Sequence, residues 1–598
     1  MQAYQTKYIE NLRQIRELTD FFGVPTDEYE TWYREQVRRR ERMQALRREN
    51  MELLSRHLFP TLDELHGASA DRIEELAAFA DALMDWSVNL DCGVYVVIHD
   101  ALLSLYRFRR DRNNIIKELY KLGMGLYYLD RSLIGIEGKW VDPFRFRNEM
   151  VFTEAGSYLK FFEQIEDKDT RGYILRALAN IAICIGDHRR RIAISSQVLN
   201  IVKDDYYRSL EPDLPWDTFL RRTNQQMSSN RQVLSRGNLT TQELTAVLES
   251  CYEVFKTEAD IPNPNVRWLW PYYEMEYSCG FVDLQTTLER LERLIESSPE
   301  DQYDLSGMYA SVQLALYYGI LMRKNPALLT QPRHSHFLIY AYRRMMRVML
   351  SYPVEKMDDY FFYLICYILS DYLEIEGAEP FAHIIHQLMG RFSGAMYVRS
   401  AQAADMMALF AGAIFDSDPA FFDDIESLRA PGALAQKRAA VTDFAAQCGF
   451  YHDLGLFKMN LFRTMNGRDL FEREDQMVQL HVAASRDDLK RCPSTAAYAD
   501  VVYGHHAWYN GMGGYPEEYV RTESPCRQMT DVMAVVAYLL DQQEPPEEAL
   551  NQARALAHTR FSPLVTAYLE DEDLCRGLKN ILIDEERYYR CLFDGLKA

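Results

Sequence analysis

YILRALANIAICIGD (Tyr173 to Asp187) runs directly into HRRRIAISSQVLNIV (His188 to Val202). In each half the apolar residues recur at helical spacing, the pattern of an amphipathic helix with one buried face. The two helices meet at Gly186-Asp187, and small alanines stand where the helices would approach closely. The same period dominates the rest of the chain, and strand signals are almost absent. An all-α protein is therefore expected. Its divisions are 1–64, one or two long charged helices; 65–390, a helical array that senses a signal or binds a partner; 395–572, a C-terminal unit; and 573–598, a final helix.

The hairpin at 173–202 resembles a tetratricopeptide-type unit, and a second candidate starts at Leu305 with LSGMYASVQLALYYGIL. No strict 34-residue period continues from either, so the array reads as degenerate repeats or an irregular bundle. Asp260 to Gly280 reads as a loop: Pro262, Pro264 and Pro271 lie among Trp268, Trp270, Tyr272, Tyr273 and Tyr277. Its rings are expected to pack against neighbouring helices rather than form a ligand platform. Asp416 to Ala435, with Pro419, Pro431 and Gly432, is the other irregular stretch.

At 598 residues and 48% hydrophobic composition, the chain is long enough for several domains with sizeable cores. The net charge of −21 argues against a general nucleic-acid binder. Between Arg34 and Asn50 seven arginines alternate with Glu35, Glu41 and Glu49, which predicts a solvated, self-paired helix face. The opening MQAYQTKYIENLRQ lacks the apolar core of a signal peptide. The longest apolar run, Tyr360 to Leu369, is far below the ~20 residues a membrane helix needs. A cytoplasmic protein without membrane attachment is expected. Ten cysteines without a CxxC pair predict reduced, mostly buried thiols.

Chemistry concentrates near the C-terminus. Gly504-His505-His506-Ala507 leads into Trp508-Tyr509-Asn510-Gly511-Met512-Gly513-Gly514-Tyr515-Pro516, paired histidines followed by a glycine-rich turn. Imidazole is the commonest protein metal ligand, and the glycines let backbone approach a ligand closely. Upstream, His452-Asp453 follows the apolar AAVTDFAAQCGF, and His481 lies in EREDQMVQLHVAA. A His-Asp pair offers a nitrogen ligand and a carboxylate able to bridge two cations. An isolated pair means little: His99-Asp100, with no spaced histidine companions, reads as structural.

Residues 395–572 resemble the HD-GYP domain family, helical metal-dependent phosphodiesterases that cleave cyclic di-GMP in bacteria. The order His-Asp, single His, His-His, Gly-Tyr-Pro is kept, with 28 residues from Asp453 to His481 and 24 from His481 to His505. Thr559 to Val565 (TRFSPLV) is similar to the family's closing T-x-FDP-x-V segment, and Arg399-Ser400-Ala401-Gln402-Ala403 stands at its opening helix. The resemblance implies His452, Asp453, His481, His505 and His506 as ligands for one or two divalent ions, iron or manganese. It also implies Asp453 as the metal-bridging catalytic group, and Asn510, Gly511, Gly513, Gly514, Tyr515 and Pro516 as a ligand- or partner-binding turn.

The departures fall on functional positions. Arg399 stands for the family's opening histidine, Leu456 for its phosphate-facing lysine, Ala507 for a glutamate and Asn510 for an aspartate. Lys458, two residues beyond Leu456, would point elsewhere on a helix. Ten residues beyond Pro525 lies Val535 where a metal-binding aspartate belongs. Asp531 is one turn earlier, about 6 Å along the axis, and Asp541 is the other candidate replacement. The preferred reading is a bacterial signalling protein whose degenerate C-terminal module binds a nucleotide such as cyclic di-GMP, or a protein partner, without turnover. The alternatives are an active cyclic di-GMP phosphodiesterase, and a helical scaffold that binds peptides on its array and carries a relic HD domain.

Overall fold

A computed structural model of the chain describes residues 2–19, 28–84, 89–133, 141–185, 187–228, 239–259, 265–353, 357, 359–429, 432–459 and 467–597. The fold is all-α. Among the described residues the pairings of strand type are three isolated bridges, Met84–Asn89, Ala507–Gly514 and Ala557–Phe561. No helix there is long and apolar enough to cross a membrane.

The hairpin legible at 173–202 consists of helices Lys168–Cys184 and His188–Lys203. Each starts where an aspartate accepts from the backbone three residues on: Asp167 from the Thr170 amide and Asp187 from the Arg190 amide, both at 2.7 Å. Such N-caps stabilise a helix start by about 1 kcal/mol. Ile174, Leu175 and Ala179 of the first helix share a core with Val198 and Val202 of the second. Gly186, between them, lies outside the described residues, as do Asp260 to Pro264 and Pro431.

Two sequence expectations change. Asp260 to Gly280 is not a loop beyond residue 264: Val266–Ser278 is a helix with Pro271 inside it, started by Asn265, whose side chain accepts from the Arg267 amide. Burial of Leu269, Trp270 and Met275 on one side outweighs the proline. The aromatic residues do pack, Trp270 lying against Tyr317 with ring centroids 5.9 Å apart. The arginine run is also only partly self-paired. Arg38 and Arg39 hold Glu35, but Arg40 reaches Glu585 at 2.5 Å and Arg47 reaches Asp469 at 2.7 Å.

Those long-range pairs show how the first helices fit. Tyr29 and Trp32 of Tyr29–Leu53 pack on Tyr589, Leu592 and Phe593 of the last helix, Glu585–Lys597. Arg468 ties the other side together. Fully buried, it grips Asp91 and Glu474 with two 2.8 Å contacts to each, and Tyr8 donates to the same Asp91. Gly93 makes room, since a Cβ there would lie 2.0 Å from the guanidinium.

The C-terminal unit is built on Gly394–Ser417 and Leu434–Tyr451. Their backbones touch: a Cβ on Gly449 would meet the Ala403 carbonyl at 2.5 Å. Met406, Phe410, Val441, Val532 and Val536 fill the core between them and Arg527–Asp541. Phe450, Tyr451 and Leu454 share a second core with Phe361, Ile365 and Leu388 of the array. All ten cysteines are free thiols, and Cys591 is the exposed one.

Candidate metal centre

His452 and Asp453 follow the end of Leu434–Tyr451, before a short helix, Leu454–Lys458. Gly455 lets that helix press against the start of His481–Leu489, where a Cβ would strike the His481 carbonyl at 2.1 Å, and its amide donates to Ser485 Oγ at 2.7 Å. His505 follows the helix Ala499–Gly504. Three helix ends thereby converge on one carboxylate.

The three histidines are oriented the same way. Nδ1 of His452 lies 2.7 Å from the Gly449 carbonyl, Nδ1 of His481 2.8 Å from Val478, and Nδ1 of His505 2.7 Å from Val502. A carbonyl only accepts, so Nδ1 carries the hydrogen and Nε2 keeps its lone pair. Those Nε2 atoms are buried and have no hydrogen-bond partner among the described residues. They face Asp453 instead: His452 lies 3.0 Å from Oδ2, while His481 and His505 lie 3.3 and 3.9 Å from Oδ1.

Lone pairs of neutral imidazoles repel carboxylate oxygens unless positive charge intervenes. For His505 a proton is disfavoured, since burial and the neighbouring His452 and His481 push its pKa down to about 3. His506 is likewise pushed well below the ordinary value by burial and by His505. Burial pushes the Asp453 carboxyl up, while positive charge at His452, hydrogen bonds from His452 and His481, and Arg399 hold it well below the usual range; with the imidazoles neutral, a bound cation would supply that positive charge instead. An ionised carboxylate surrounded by nitrogen lone pairs is an arrangement that could hold a cation. Ligand atoms of Asp453, His481, His505 and His506 all lie within 4.8 Å of one another. These four residues could together hold one ion, each offering one ligand atom. His452 stands outside that group, on the other carboxylate oxygen.

The second half of the site is occupied by protein. Arg399 Nε lies 3.2 Å from Asp453 Oδ2, its Nη1 donates to the Leu540 carbonyl at 2.8 Å, and its Nη2 holds Asp541 at 2.5 Å. Asp541 therefore partners Arg399 rather than completing a ligand set. Asp531 is also committed, gripped by both arms of Arg521, whose Nε lies at 2.7 Å. Val535 is fully buried in the apolar core. Lys458 points away, as helix phase predicts, into a buried contact with Asp488 and Ser370 at 2.8 Å. Nothing local in the sequence signals the Arg521 clamp, since its loop has no regular period.

The glycine turn forms the wall and rim. Tyr515 packs on the His506 ring at 4.5 Å and on His481 at 6.0 Å. Behind it the chain doubles back: Trp508 N bonds the Gly513 carbonyl, and Tyr509 and Asn510 amides bond the carbonyls of Arg560 and Thr559. The closing segment TRFSPLV is thus the platform on which the turn rests. Asn510 is exposed on the turn, and its side-chain oxygen accepts from the Met512 amide at 2.9 Å, which shapes the loop. The peptide before Pro516 is cis. His99 belongs to a separate buried pair, with Nδ1 2.5 Å from Glu118.

Gly514 has φ +79°, and a Cβ there would meet the His506 carbonyl at 2.1 Å. Gly514→Ala is expected to cost about 1–3 kcal/mol and loosen the cation, because the strain sits next to a ligand. Gly511, at φ +69° but in open space, is the control: Gly511→Ala should leave the cation in place. Thermal melting and metal content of both variants check this. Equal metal loss in both would contradict it.

No family model matches this chain, and no curated protein and no solved structure matches it.

Proposed function

We propose that residues 395–572 form a divergent HD-GYP-type module that holds one divalent cation, iron or manganese, and binds a cyclic dinucleotide such as cyclic di-GMP without hydrolysing it. The observation that carries this reading is Arg399. Its guanidinium takes up Asp453 Oδ2 and Asp541, where a two-cation site would need free carboxylate oxygens. A fixed positive charge there replaces a second ion and leaves Oδ1 for the first.

When bound, the cation supplies a Lewis-acidic anchor for a phosphoryl oxygen. Asp453, His481, His505 and His506 hold it, and the Nδ1 contacts of His481 and His505 fix the direction of two of those ligands. Tyr515 packs on the His506 and His481 rings, and Arg399, a third exposed, adds a second positive charge for a phosphate. The chain places leucine at 456 and alanine at 507, so neither position supplies a charged group to the ligand. Binding without turnover follows.

The tip of the turn favours a second reading. Met512 is 82% exposed there and Trp508 37%. An exposed apolar tip on this turn suits contact with a protein partner.

Arg399→His tests the main reading. It removes the guanidinium and adds an imidazole, so metal content should rise from about one toward about two ions per chain. Wild-type protein should bind cyclic di-GMP and release no product. Turnover that depends on the bound metal would overturn the reading.

A further inference from the structure

A cavity of about 270 Å³ that shares no lining residue with the cation centre lies among three helices of the array, Arg112–Asp130, Lys168–Cys184 and Trp216–Ser228. Tyr120, Arg176, Pro215, Thr218, Phe219 and Arg222 line it. Tyr120 is only 4% exposed, yet no group among the described residues hydrogen-bonds its hydroxyl. Neither Arg176 nor Arg222 forms an ion pair with a carboxylate among the described residues. Arg222 is exposed and Arg176 half-buried, lying over the Tyr173 ring at 5.7 Å, whereas Arg171 pairs with Glu211 and Arg189 with Glu243. Both guanidiniums act on the same point, since they are the largest charges opposing the rise that burial imposes on the Tyr120 hydroxyl.

We propose that this cavity binds the phosphate of a small phosphate monoester. Two like charges around one concave space, with no carboxylate paired to either among the described residues, match a dianion. Tyr120 and Thr218 add hydroxyl donors, and the first turn of Trp216–Ser228 presents the positive end of a helix at the wall. Phe219 and Pro215 give the ester's carbon portion an apolar face. The volume accepts a phosphate with a few attached atoms, below the size of drug-like pockets. This site is independent of the cation reading and stands or falls separately.

Calorimetry on the full chain, with inorganic phosphate and phenyl phosphate as probes, tests it. The background is a His505→Ala/His506→Ala chain, so that phosphate at the cation centre does not contribute. Both probes should bind, phenyl phosphate more tightly. Arg176→Ala and Arg222→Ala should each weaken binding about tenfold or more, with Arg222→Lys in between. Circular dichroism confirms that the variants are folded, and Arg222→Lys keeps the test valid if an alanine variant is not. Absence of binding at millimolar probe, or binding unchanged in folded arginine variants, would overturn the proposal.

Discussion

Arg468→Met is expected to destabilise the protein by about 3–5 kcal/mol. Arg468 has no exposed surface and neutralises Asp91 and Glu474, both about 1% exposed. Each carboxylate also has a structural task. Asp91 caps Cys92–Arg109 by accepting from the Val94 amide at 3.0 Å, and Glu474 accepts from the Phe471 amide at 2.9 Å. Methionine fills much of the space but leaves two buried carboxylates facing each other without a counter-charge. They must protonate or draw in water, and either opens the seam between the N-terminal helices and the C-terminal unit. Urea denaturation of the whole chain reads this out as a lower midpoint. An unfolding free energy within about 0.5 kcal/mol of wild type would contradict the role given to Arg468.

The second large effect falls on the cation. His505→Ala/His506→Ala removes two of the four grouped ligands, including one of the two imidazoles that face Oδ1. The remaining Asp453 and His481 cannot hold a first-row ion against solvent, so bound metal should drop from about one per chain to near zero. Added manganese should then no longer raise the melting temperature, because stabilisation by a ligand requires a site in the folded state. His99→Ala is the matched control. It removes an equally buried histidine at a separate pair and should leave metal content unchanged.

Much of this is legible in the amino-acid sequence. The 3.6-residue period states the all-α fold locally, and aspartates before both hairpin helices mark their starts, so the hairpin at 173–202 can be read directly. His452, Asp453, His481 and the pair at 505–506 stand out by residue type and spacing, and the fold brings them together. Helix phase alone turns Lys458 away. What the sequence hides depends on tertiary partners. Arg399 is recognisable as a substitution, but its grip on Asp541 spans 142 positions and has no local pattern. Arg40 similarly finds Glu585 across the whole chain, where helical spacing offers only local partners. Prolines and crowded aromatic residues mark 260–280 as a loop. Burial of Trp270 and Leu269 drives most of it into a helix, because tertiary packing outweighs local propensity.

The decisive measurement is metal content per chain by mass spectrometry, on full-length protein purified without oxygen or chelators, beside Arg399→His. One ion at the Oδ1 face, with Arg399 in place of a second, predicts about one iron or manganese per wild-type chain and more in the variant. No bound metal in wild type, or two ions per chain with Arg399 intact, would contradict it.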